Sequence, residues 1–245
     1  MPVPTTALVT GASRGFGRAI AAALVAAGSE VVGIARSPQD LDAVRDDLGE
    51  RFVPVAADVT DEDVAASLIA DRKPGLLVLN AGVSPHLAPL ADQTWETFRG
   101  PWDVDVRQAF AWMRAALRVP MAPGGVVVGM SSGAALAGSP LSGGYAGAKA
   151  TIRFLRTYAH DEAQRAGLDL RFHALLPQLT PRTGLGALAV AGYAARHGVD
   201  PDTLAANLAP VLTPEQVADT VLAVAADDGA AAEYRISGAG ASVLG

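Results

Sequence analysis

Short β-branched, apolar runs alternate along the chain with longer Ala-rich stretches whose apolar positions recur at helical spacing. Thr6–Thr10, Glu30–Ala35, Phe52–Ala56, Leu76–Asn80, Val126–Met130, Leu170–Leu176 and Tyr234–Ser237 read as strands. Between them the pattern predicts helices over about Gly15–Ala27, Asp40–Leu48, Asp61–Asp71, Thr94–Met121, Ser142–Ala166 and Pro214–Ala226. Nearly continuous apolar strands alternating with helices belong to a parallel sheet covered on both faces. The expected fold is therefore α/β: a doubly wound, mostly parallel, seven-stranded sheet in a three-layer αβα sandwich, one domain over residues 1–245. Ligands of such sheets bind beyond the carboxyl ends of the strands, so the residues following each strand matter most. Gln178 to Thr213 breaks the alternation with Pro-led segments, several glycines and a helix-like Gly186–Arg196. A connection this long reads as a substrate loop or lid over about 178–212, with a packed surface excursion as the plainer alternative.

Composition narrows the function. The chain has 245 residues, with 19 Lys+Arg against 25 Asp+Glu and a formal net charge of −6. It lacks the basic footprint that neutralises phosphates, so nucleic acid and anionic membrane surfaces are not expected partners. The absence of cysteine removes disulfides, thiolate metal sites and Cys nucleophiles together. His86, His160, His173 and His197 show no metal-ligand spacing, and no metal site is expected. The longest apolar run, Ala19 to Ala27, is about half of the roughly 20 residues a membrane span needs. The start, Met1 to Thr6, lacks a basic segment followed by an apolar stretch, which makes a cytoplasmic location the expectation.

Three places carry candidate chemistry. Thr10-Gly11-Ala12-Ser13-Arg14-Gly15-Phe16-Gly17 follows the first strand and opens the first helix. Glycines there permit a sharp turn and a close backbone approach to a pyrophosphate, which then faces unpaired N–H groups at the helix N-terminus. The second strand ends at Arg36, where a site for NAD usually places an acid for the ribose 2′-hydroxyl. Arg36, with Arg14 in the glycine turn, suits a 2′-phosphate instead and points to NADP(H) over NAD(H). Asp58-Val59 and Asn80-Ala81-Gly82 follow the third and fourth strands, in register with the glycine turn; singly, each is as well explained as a cap or turn. Finally, Ser131-Ser132 ends the fifth strand, and Tyr145 and Lys149 lie four residues apart on one face of the next helix. An ammonium beside a phenol favours the phenolate, which makes a usable proton donor and acceptor near neutrality.

Together these residues resemble the short-chain dehydrogenase/reductase family, over residues 6 to 177. The resemblance implies a Rossmann-type fold and NAD(P)(H)-dependent interconversion of a carbonyl and an alcohol. It implies Tyr145 as general acid, Lys149 as the residue that tunes it and binds the nicotinamide ribose, and Ser132, rather than Ser131, as the donor that orients the substrate. It also implies Gly11, Gly15 and Gly17 at the pyrophosphate, Asp58 at the adenine and Asn80 near the adenosine ribose. Three positions depart from the family pattern. Asp105 stands where the family usually has an Asn that holds a water next to the lysine, so the acid either pairs with Lys149 or relays protons by another route. Gln178 replaces the glycine after Pro177, and Thr183 becomes the candidate for the threonine that reaches the nicotinamide. The tail Ile236–Gly240 is a thin version of the family's closing strand.

The segments 83–90, 133–144 and 178–212 carry many leucines and few fixed charges, which fits a moderately apolar carbonyl or alcohol substrate. Arg182 is the exception, a candidate for a carboxylate or phosphate. The long fourth and fifth helices, with large apolar residues on more than one face, fit a homodimer or homotetramer. Two other readings stay open: a nucleotide-binding sensor or scaffold, and a non-redox enzyme carrying out dehydration, cyclisation or epimerisation on the same fold.

Overall fold

In the computed structural model, which describes residues 4–244, the β-branched runs form the centre of one eight-stranded sheet. The strands are β1 (Thr6–Thr10), β2 (Glu30–Ala35), β3 (Phe52–Ala56), β4 (Leu76–Leu79), β5 (Gly125–Met130), β6 (Leu170–Pro177), β7 (Glu233–Ser237) and β8 (Gly240–Val243). They lie in the order β3-β2-β1-β4-β5-β6-β7-β8, and every pairing is parallel except the last. The strand order reverses between β1 and β4, which opens a crevice at the carboxyl ends of those two strands.

Helices α1 (Gly15–Ala26), α2 (Pro38–Leu48), α3 (Glu62–Arg72), α4 (Trp95–Pro101), α5 (Arg107–Arg118), α6 (Ala134–Ala137), α7 (Tyr145–Arg165), α8 (Gly184–His197), α9 (Pro201–Ala206) and α10 (Pro214–Ala226) follow in chain order. Side chains that accept from first-turn N–H groups fix where several begin: Ser37 before α2, Asp61 before α3, Thr183 before α8 and Thr213 before α10. Ile20 and Leu24 of α1 and Val217 and Val221 of α10 cover one face of the sheet with Val9, Val31 and Val128. Ile69 of α3, Trp112 of α5 and Ala163 of α7 cover the other with Leu8, Leu77 and Val127. Among the described residues no helix is long and apolar enough to cross a membrane.

Three expectations change. The predicted helix Thr94–Met121 is helical but not uniform: α4 passes into a π-helical turn at Trp102–Val106 and then into α5. Pro101, which has no N–H to give, sits at that junction and interrupts the regular ladder. The expected seven strands become eight because the tail turns back at Ser237–Gly240, where Gly240 takes a φ of 118°. Gly238 makes that return possible, since a Cβ there would lie 1.9 Å from the Pro210 carbonyl oxygen. The 178–212 segment contains two helices, α8 and α9, rather than one.

Candidate active site

The β1–α1 turn is shaped by what its glycines lack. Gly11 and Gly15 adopt φ values of 66° and 56°, and a Cβ on Gly11 would meet the Ala81 backbone at 2.8 Å. Gly17 packs closer still: a Cβ there would lie 2.1 Å from the Gly11 carbonyl oxygen. Arg14 occupies the N-cap of α1 in an extended conformation, and no side chain caps the helix. Its first N–H groups therefore remain open toward the crevice.

A buried polar network ties this turn to its neighbours. The Asn80 side chain donates to the Thr10 and Gly11 carbonyls at 3.0 and 3.3 Å, and the Asn80 N–H donates to Thr10 Oγ1 at 2.9 Å. Gln108 of α5, fully buried, pairs with the Thr10 hydroxyl and donates to the Ala81 carbonyl at 2.8 Å. Asp58 accepts from the Thr60 N–H and hydroxyl at 2.9 and 2.8 Å, and these bonds, against a small cost of burial, hold its carboxyl below the usual range.

At the end of β5, Ser131 and Ser132 both line the cleft but differ in burial and partners. Ser131 is buried and donates to the Lys149 carbonyl at 2.7 Å, which fastens α7 to the sheet. Ser132 is half-buried in the cleft, its Oγ accepting from the Ala134 N–H at 3.2 Å. Tyr145 opens α7, and Lys149 one turn on places its Nζ 5.6 Å from the Tyr145 ring centre. The Lys149 ammonium donates to the Met130 carbonyl at 3.1 Å and lies 3.0 Å from Asp105 Oδ2. That oxygen has no well-directed hydrogen bond, so its contact with Lys149 is an ion pair held by Coulombic attraction. Asp105 is 0% exposed and Lys149 5%. Burial pushes the lysine's pKa down, but the charge of Asp105 and the Tyr145 phenol outweigh it and hold it above its ordinary value.

The π turn aims Asp105 inward while Trp102 and Asp103 stay exposed. Its Oδ1 accepts from the Val83 N–H at 3.0 Å, and a Cβ on Gly82 would come within 2.8 Å of Oδ2. The acid thus joins Lys149 to the loop after β4.

These residues surround one cleft of about 1110 Å3. Gly11, Ser13, Arg14, Gly15 and Phe16 line it from the glycine turn, Arg36, Asp58 and Val59 from the ends of β2 and β3, and Asn80, Ala81 and Gly82 from that of β4. Asp105, Ser132, Tyr145, Lys149, Pro177 and Thr183 complete the wall. Of the residues singled out in the sequence, Gly17 lies outside: it is buried beneath the turn, a packing position rather than a lining one. Arg182 is exposed and also outside the cleft. The second half of the cleft is apolar, with Val83, Leu87, Leu179, Leu185 and Leu188, and is bridged where the Tyr193 hydroxyl of α8 meets that of Ser139. Thr180, buried at the base of this segment, donates to the Leu212 carbonyl and pins its two ends together.

Gln108 and Arg235 escape the sequence reading. Gln108 lies three residues beyond Asp105, and that spacing on a helix placing both on one face is the only signal that marks it. Arg235 sits on β7, and which face it takes depends on a strand register the sequence does not reveal.

Comparison with known proteins gives a consistent picture. A family model described as short chain dehydrogenase matches residues 5–189. The chain is 34% identical over 155 residues to serine 3-dehydrogenase of Agrobacterium fabrum, a match covering 60% of this chain and 61% of that enzyme's length. It is 32% identical over 233 residues to cis-4-hydroxycyclohexanecarboxylate dehydrogenase of Sinomonas cyclohexanicum, covering 90% of this chain and 89% of the relative. The crystal structure of levodione reductase superposes with a TM-score of 0.82 at 21% identity, covering 95% and 96% of the two chains, which shows the shared fold.

Proposed function

We propose, since the chain belongs to the short-chain dehydrogenase family, that it is an NADP(H)-dependent oxidoreductase interconverting a carbonyl and an alcohol, with Tyr145 as general acid and base. The observation that carries this reading is the meeting of Ser132, Tyr145 and Lys149 with the β1–α1 glycine turn in one cleft. A dinucleotide fits the residues present. The glycines leave room for a pyrophosphate against the uncapped start of α1. Arg14 and Arg36 are exposed at that end with no ion-pair partner among the described residues, which suits them to a 2′-phosphate. Asp58 and Val59 would flank the adenine, Asn80, Ala81 and Gly82 the adenosine ribose, and Pro177 and Thr183 the nicotinamide end.

When bound, the nicotinamide supplies or accepts the hydride. The chain's own groups do the rest. Ser132 Oγ orients the substrate oxygen, and Tyr145 Oη gives it a proton in reduction and takes one back in oxidation. Lys149 keeps a positive charge beside the phenol, fixed in place by Asp105 and the Met130 carbonyl. The leucine-lined half of the cleft excludes water from the reacting carbon and selects an apolar body. A homodimer or homotetramer fits the exposed Phe110 of α5 and the stacked pair Phe154 and Tyr158 of α7, whose ring centres are 6.5 Å apart.

The test is a fluorescence titration with NADPH and NADH, followed by a panel of ketones and aldehydes read at the nicotinamide absorbance. Tyr145→Phe should bind NADPH as the wild type does and lose about 10²- to 10⁴-fold in turnover. Tight NADPH binding by the wild type with no consumption across the panel would overturn the enzymatic reading in favour of a nucleotide-binding sensor.

A further inference from the structure

The charges lining the cleft are almost all accounted for. Asp103 pairs with Arg99 at 3.4 Å, Asp105 with Lys149 at 3.0 Å, and Asp58 is bonded to Thr60. Arg14 and Arg36 stand at the end where β1 and β2 terminate. The remaining cation is Arg235 of β7, which lines the cleft and whose side chain has no ion pair and no hydrogen bond among the described residues. Nearby Glu233 does not neutralise it, because that carboxylate is held by both the Nε and Nη2 of Arg153.

Arg235 is in the wrong place to serve the dinucleotide phosphates. β7 is four strands from β1 in the sheet, about 19 Å at ordinary strand spacing. It is close to the reacting end instead. Arg235 is in register with Leu176, one residue before Pro177, whose carbonyl accepts from the N–H of Gly133, the neighbour of Ser132. Two strand spacings, about 10 Å, therefore separate the Arg235 and Ser132 backbones, a gap that a long guanidinium side chain and a small ligand can bridge together.

We infer that Arg235 is a specificity-determining residue that binds a carboxylate on the substrate, making the preferred substrate an apolar-bodied hydroxy or oxo acid rather than a neutral ketone or alcohol. This rests on the oxidoreductase reading of the same cleft and adds the substrate class to it. A planar guanidinium accepts a carboxylate through two parallel N–H bonds. One unpaired positive charge matches a monoanion, whereas a phosphate dianion calls for a second free cation, and the cleft lining around β6 and β7 offers none among the described residues. The leucines of the α8 side take the apolar body, and Ser132 and Tyr145 take the oxygen that reacts.

The test measures binding without turnover, so it stands apart from the reductase assay. Benzoate and benzamide share a shape and differ in charge; each is titrated calorimetrically into the protein with NADP+ present and absent. The wild type should bind benzoate at least tenfold more tightly than benzamide. Arg235→Gln should abolish that preference, Arg235→Lys should keep part of it, and Arg182→Gln, outside the cleft, should leave it intact. Equal binding of the two probes by the wild type, no binding of either, or a preference that survives in a folded Arg235→Gln would each overturn the inference. None of these outcomes touches the oxidoreductase reading, which falls only if NADPH is not consumed.

Discussion

At the β1–α1 end of the cleft, shape comes from atoms that are absent: a Cβ on Gly17 would lie 2.1 Å from the Gly11 carbonyl oxygen, and one on Gly11 2.8 Å from Ala81. At the β5–α7 end, shape comes from charges taken out of water, with Asp105 and Lys149 both buried and 3.0 Å apart. The first end is assembled by backbone packing, with no room for a Cβ at Gly11 or Gly17. The second is assembled by two ionised side chains from different helices, and neither is stable there without the other. A wall cast in backbone fixes shape alone, whereas a buried ion pair needs a fold that holds both charges in place.

The contrast breaks most severely at the charged end. Lys149→Met strands the Asp105 carboxylate in the interior and should cost about 3–5 kcal/mol in chemical denaturation, and the double change with Asp105→Asn should regain most of it without regaining turnover. The pair also sets a pH signature. The folded-state pKa of Lys149 lies above its ordinary 10.5, so the pair's contribution is whole below pH 10.5 and drains away as pH climbs through the folded value. Lys149→Met, having nothing to deprotonate there, should lack that component of alkaline loss. A wild type and variant that lose stability in parallel above pH 10.5 would contradict the ion-pair account.

At the other end, Gly17→Ala forces an atom against backbone and should cost about 1–3 kcal/mol, with NADPH affinity falling alongside. The same change at Gly147, where a Cβ would stand 3.5 Å from Trp102, is the matched control and should be nearly silent. The smallest effect sharpens the cofactor assignment. Arg14→Ala with Arg36→Ala should raise the KM for NADPH by about tenfold and leave that for NADH nearly unchanged, since an exposed charge pair on a phosphate is worth about 1–2 kcal/mol. A uniform rise for both cofactors would remove the 2′-phosphate role.

The same contrast explains what could be read in advance. The glycine turn, the strand ends and the Tyr145–Lys149 spacing are local patterns, and the structure brings all of them but Gly17 to the cleft wall. Asp105 is visible in the sequence as a departure, yet its two contacts, with Lys149 and with the Val83 N–H, depend on how the π turn packs beside α7 on one face of the sheet. β8 is not legible in the sequence because Gly240–Val243 is short and largely exposed, so no apolar alternation announces it. Arg235 carries no local signal, because nothing in the sequence tells which face of β7 is turned to the cleft. Gln108 is equally silent because its partners, Thr10 and Ala81, lie 98 and 27 residues away.

The π turn before α5 has a mechanical consequence. It leaves Asp105 and Gln108 on the same side of one rod, the first gripping Lys149 and the loop after β4, the second gripping the glycine turn through Thr10 and Ala81. Any roll of that rod about its own axis moves both grips at once. The helix is therefore built like a camshaft: the glycine turn and the Lys149 end of the cleft are kept in time with each other by a single part.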